Sequence, residues 1–170
     1  TYYVDNIQAN GGDKPTPTIA SAPTASDITY GQTLADSTLS GGTASVDGSF
    51  AFTTPSTAPN AGTNNQAVTF TPTDYHNYRN ATTSTSVLVN KATPTVLTYP
   101  TASDLTLCDK WAFRDSALTG GSASVPGSFA WDNSNGTSGA GTFAQDVTFT
   151  PTDSSNYATV ALQVDLTMNK

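Results

Sequence analysis

Glutamate is absent from this 170-residue chain, and all 13 acidic residues are Asp. Charged residues make up 11% of the total, against the ~25% usual in soluble domains. There is one Cys, which excludes an internal disulfide and a Cys-rich metal centre. There is one His, His76, so a Ser-His-Asp arrangement would have to be built on it, and no Gly-x-Ser-x-Gly elbow is present. A phosphate loop of the Gly-x-x-x-x-Gly-Lys type is missing too. The six Lys and Arg are scattered and the net charge is −7, which excludes the clustered basic surface that nucleic acid requires. No apolar run approaches the ~20 residues of a membrane-spanning helix, and no stretch reads as a secretory leader or sorting tail. Neither an enzyme nor a cofactor is expected.

What is present is Thr, Ser, Gly, Val, Phe and Tyr, a composition that favours strands over helices. It is arranged as a repeat. Ser40-Gly-Gly-Thr-Ala-Ser-Val-Asp-Gly-Ser-Phe-Ala-Phe52 returns as Thr119-Gly-Gly-Ser-Ala-Ser-Val-Pro-Gly-Ser-Phe-Ala-Trp131. The offset is 77 up to the Tyr30/Leu107 pair and 79 from the Asp36/Asp115 pair onward, with 27 identities in the last 56 positions. The second copy therefore carries a two-residue insertion. Three segments follow: residues 1–13, a first repeat over 14–90 and a second over 91–170.

Period-two alternation marks the strands. Thr83, Thr85, Val87 and Val89 match Leu162, Val164, Leu166 and Met168; Val68 and Phe70 match Val147 and Phe149. Gly41-Gly42, Asp47-Gly48 and their counterparts supply turns. A short helical turn fits only at Thr33–Leu39 and its partner. The expected fold is all-β, two tandem immunoglobulin-like antiparallel sandwiches. In Thr-Pro-Thr-Asp-x-x-Asn-Tyr, Pro72 and Pro151 end a strand and Asp74 and Asp153 form a side-chain-to-backbone turn. Tyr78 and Tyr157 follow as buried rings of a structural corner.

Lys14-Pro-Thr-Pro-Thr, Ile28-Thr-Tyr-Gly-Gln32, Phe-Thr-Pro-Thr-Asp-x-x-Asn-Tyr and the closing Val-x-Asn-Lys together resemble the tandem Ig-like or mostly-β repeats, of Tyr-Gly-x type, in large bacterial surface proteins. The resemblance covers nearly everything from Lys14 onward, and the second copy departs from it by placing Leu107-Cys108 where Tyr-Gly stands. It implies an extracellular spacer or adhesin segment at the cell surface, with neighbouring repeats as partners and no shared catalytic residues. A grasp-like mixed sheet is the alternative topology.

Residues 1–13 have no counterpart in either repeat. Tyr2 and Val4 alternate with Tyr3 and Ile7, as a trailing strand or as a donor strand that completes a sheet in another copy and builds a filament. The insertion gathers the other candidates. Cys108, Lys110, Trp111, Phe113 and Arg114 read either as drift or as a contact for a host glycan or protein. Trp131 matches Phe52 and reads as core. Asp27/Asp104, Asp36/Asp115 and Asp74/Asp153 recur, and oxygen ligands of this kind suit calcium; isolated as they are, they read as turn caps.

Overall fold

The computed structural model describes residues 14–106 and 112–170. The chain divides into two compact units, the first ending at Val89 and the second running Asn90–Lys170. Among the described residues there is no α-helix.

The first unit contains β1 (Ile19–Ser21), β2 (Thr24–Ala25), β3 (Ile28–Thr29), β4 (Leu39–Ser40), β5 (Thr43–Ala44), β6 (Gly48–Phe52), β7 (Gly62–Pro72) and β8 (Ala81–Asn90). A 3-10 turn spans Leu34–Asp36. Strands 3, 8, 7 and 6 form one sheet in that order, and β1–β5 and β2–β4 pair as short ribbons. The second unit contains β9 (Val96–Ala102), β10 (Leu105–Thr106), β11 (Leu118–Ala123), β12 (Gly127–Trp131), β13 (Gly141–Pro151) and β14 (Val160–Asn169). Its 3-10 turn spans Phe113–Asp115. Strands 10, 14, 13 and 12 make the larger sheet, and β9 pairs with β11.

Each unit is an all-β sandwich built from a four-stranded sheet and shorter two-stranded ribbons. The pairing of β10 with β14 departs from the expected antiparallel pattern: it is parallel, with Leu105 opposite Met168. The chain travels through β11, β12 and β13 before reaching β14, which leaves ample length for the crossover a parallel pair needs.

The alternation read from the sequence becomes the core. Val68, Phe70, Val87 and Val89 are buried in the first unit; Val147, Phe149, Leu162, Val164, Leu166 and Met168 are buried in the second. Each such side chain contributes roughly 1.5–3 kcal/mol on leaving water. Cross-strand register sets Phe50 against Phe70 and Phe129 against Phe149. Both ring pairs have centroids 4.9 Å apart and are tilted, as aromatic quadrupoles prefer. Gly42 and Gly121 lie at positive φ (83° and 78°), and a Cβ on either would come within 2.8 Å of the Phe50 or Phe129 ring. Glycine is therefore required there by both backbone and packing. Polar outward faces are knitted by hydroxyl pairs such as Ser21–Thr43 (2.8 Å) and Thr98–Ser122 (2.7 Å).

The segment that opens each repeat is fastened to the corner of its own unit. In the first, Lys14 Nζ donates to the Tyr75 carbonyl and the Arg79 N–H to the Pro15 carbonyl. In the second, Lys91 Nζ donates to the Ser154 carbonyl, the Ala92 N–H to Asn156 O, and the Ala158 N–H to Ala92 O.

Candidate partner-contact site

Both 3-10 turns start from the same capping geometry. The Thr33 N–H and the Ala112 N–H donate to Asp36 Oδ2 and Asp115 Oδ2, each at 2.8 Å. These acids satisfy backbone donors that the short turn would otherwise leave open. Ser37 and Ser116 close the other side by donating to the Ser26 and Ser103 carbonyls. A neighbouring loop then docks onto each turn. The Leu34 and Ala35 N–H groups donate to Thr57 O and Pro55 O; those of Phe113 and Arg114 donate to Gly136 O and Ser134 O.

This equivalence places Phe113 at the position of Leu34. Phe113 is buried, at 6% exposure, and packs with Leu105, Leu166 and Met168. It is therefore a core residue and is withdrawn from the set of partner contacts, because its ring has no surface to offer. The insertion lies between Leu107 and Phe113, not across Phe113 as the sequence alignment suggested. Arg114 takes the place of Ala35, is exposed, and donates through Nη1 to Asn135 Oδ1. Cys108, Lys110 and Trp111 lie outside the described residues, as do Tyr2, Tyr3, Val4 and Ile7. Trp131 is half-buried against both hydrophobic clusters of the second unit, and its Nε1–H donates to Ser116 O at 3.0 Å. That bond ties the end of the altered loop to the sheet.

At the corners, Asp74 accepts from the Asn77 N–H (3.2 Å) and side-chain amide (2.7 Å), and Asp153 accepts likewise from Asn156. The Asn77 amide, foremost, holds the Asp74 carboxyl below its ordinary value. Tyr78 and Tyr157 are half-buried, and their N–H groups donate to Asp74 O and Asp153 O. Among the described residues no three His, Cys, Asp or Glu side chains come together as a metal site would need. No helix there is long and apolar enough to cross a membrane.

The sequence reading passed over Leu97 and Tyr99. They are 63% and 62% exposed on β9. Beside Tyr99 runs a groove of about 410 Å³, lined by Pro100, Thr101 and Ala102 on one side and Gln163 and Asp165 on the other. The signal lay in the repeat itself: Ala20 and Ala22 hold the corresponding positions of the first copy.

No protein-family model and no curated protein matches the sequence. Solved structures similar to the chain include a titin fragment of three immunoglobulin domains, at 10% identity and TM-score 0.34, over 92% of this chain and 66% of that one. A Drosophila N-cadherin fragment is similar at 10% identity and TM-score 0.30, over 92% of this chain and 51% of that one. The chain thus spans about two thirds and about half of their lengths. The sandwich is read from the pairing of its own strands.

Proposed function

We propose that the chain is a structural repeat segment of an extracellular bacterial surface protein and acts as a stiff spacer. The observation that carries this reading is the fastening of each opening segment. The last strand of the first unit ends at Asn90, and Lys91 and Ala92 are already bonded to the corner of the second unit. No free linker residue is left between strand and corner, and Pro94 restricts the residue before it. Hydroxyl-rich faces of low charge suit a module whose work is spatial.

Spin labels at exposed Ser84 and Ser155, one in each unit, test the stiffness by pulsed electron resonance. A narrow distance distribution is expected, and one as broad as that of a flexible Gly-Ser joint sinks the spacer. Polymerisation by donor-strand exchange is a separate reading carried by the alternation in residues 1–13; filaments that survive deletion of that segment dismiss it. A glycan or protein contact at the altered loop now rests on Arg114, exposed beside Asn135, together with Cys108, Lys110 and Trp111. A glycan array probed with the whole chain and with R114A/W111A tests it, and equal signals from the two end it.

A further inference from the structure

We propose that the outward face of β9 is a lateral contact between two copies of this chain, formed by Leu97 and Tyr99 of each. The inference goes beyond the spacer reading and does not depend on it.

The face is peculiar to the second unit. In the first unit the corresponding segment is split into β1 and β2, and Ala20 and Ala22 stand where Leu97 and Tyr99 do. Very short edge strands are one way in which sheets avoid unwanted association. In the second unit the strand runs unbroken for seven residues and shows two large apolar side chains to solvent. Among the described residues β9 pairs only with β11, so its other edge stands beside the groove along β14.

A second copy is the occupant that the charges favour. Residues 92–103 carry no charge, whereas Lys91 precedes them and Asp104 follows. Two copies that meet antiparallel across a two-fold axis bring Lys91 of one toward Asp104 of the other at both ends. The same axis, passing near Thr98, sets Leu97 of each copy against Tyr99 of the other. A net charge of −7 per chain therefore meets no like charge within the strip itself.

Backbone pairing is held back. Pro100 has no N–H to donate, and the β9–β11 register shifts between Ser122 and Ala123. The contact is made by side chains and closes at two copies, because a two-fold interface uses the same patch on both partners. Two side chains per copy cover much less than the ~800 Å² per partner of a standard interface. A single contact is therefore weak.

Sedimentation equilibrium of the full chain, from micromolar to millimolar, tests the proposal. The weight-average mass of the wild type is expected to rise above 17.5 kDa with concentration and to level at twice that value. L97K/Y99K places like charges opposite each other and is expected to remain at the monomer mass. L97K/Y99D places opposite charges across the same axis and is expected to recover the rise, in a manner that added salt removes. The proposal is overturned by a wild type that stays at 17.5 kDa throughout, by a double-lysine variant that associates like the wild type, or by a charge-pair variant that does not associate. Growth beyond two copies would point to strand exchange instead and equally overturns a closed contact. Unchanged far-ultraviolet dichroism of both variants shows that the fold is intact.

Discussion

Leu34 of the first unit and Phe113 of the second fill the same place beneath a 3-10 turn, and both are buried. The residues facing them differ in the opposite sense. Thr57 gives its carbonyl to the Leu34 N–H, and Gly136 gives its carbonyl to the Phe113 N–H. A Cβ on Gly136 would overlap the Phe113 ring. The larger ring is thus accommodated by deletion of the facing side chain, and the backbone bonds are kept. Repeats of this kind diverge by coupled exchanges of volume, because a close-packed interior accepts a methylene only where another leaves. Arg114 and Asn135 stand where the first unit has Ala35 and Ser56, and the Arg114 guanidinium donates to Asn135 Oδ1.

The strongest way to break the comparison is to empty one core. F149A should cost the second unit about 3–5 kcal/mol, and F70A should cost the first as much. Calorimetry should show one transition falling while the other holds; two transitions that fall together would mean that the units unfold as one body. Next is the volume exchange itself. G136T should destabilise the second unit by about 1–3 kcal/mol, and F113L/G136T should restore most of it. Chemical denaturation of the four members of that cycle measures the coupling, and independent costs would show that the two sites do not sense each other.

A smaller difference lies in the polar core. Thr85 is buried and donates to the Pro23 carbonyl at 2.7 Å, whereas Val164 stands at its counterpart. T85V should cost the first unit about 1 kcal/mol, the net worth of a buried hydrogen bond. A gain in thermal midpoint would show that the hydroxyl is not needed. The smallest effect concerns pH. The Asp74 carboxyl is held below its ordinary value, first by the Asn77 side chain. A depressed folded value stabilises the protein above the unfolded value, and that contribution is lost as pH falls through the folded one, below the ordinary carboxylate range. N77A should move the Asp74 carboxyl back up in a carbon-13 titration; an unmoved titration removes the side-chain amide as the cause.

Much of this fold was legible because the chain states it twice. Alternation at Thr83–Val89 and at Leu162–Met168 predicts the buried faces of β8 and β14, since successive strand residues point to opposite sides. Pro72 and Pro151 end β7 and β13 as expected. The parallel course of β10 was not legible, since strand direction depends on where the chain returns and not on local pattern. Phe113 was misread for a related reason. Aligning the insertion by identity left its position free within a few residues, and only the bonds of the docking loop fixed it.

The sequence by itself determined the repeat, the strand periods and the turn positions, because each of these is a local pattern. Tertiary structure alone decided that Phe113 is core, that Gly136 makes room for it, and that Leu97 and Tyr99 face solvent. Burial is a property of what lies across the sandwich from a side chain, and no residue carries that information in its own neighbours along the chain.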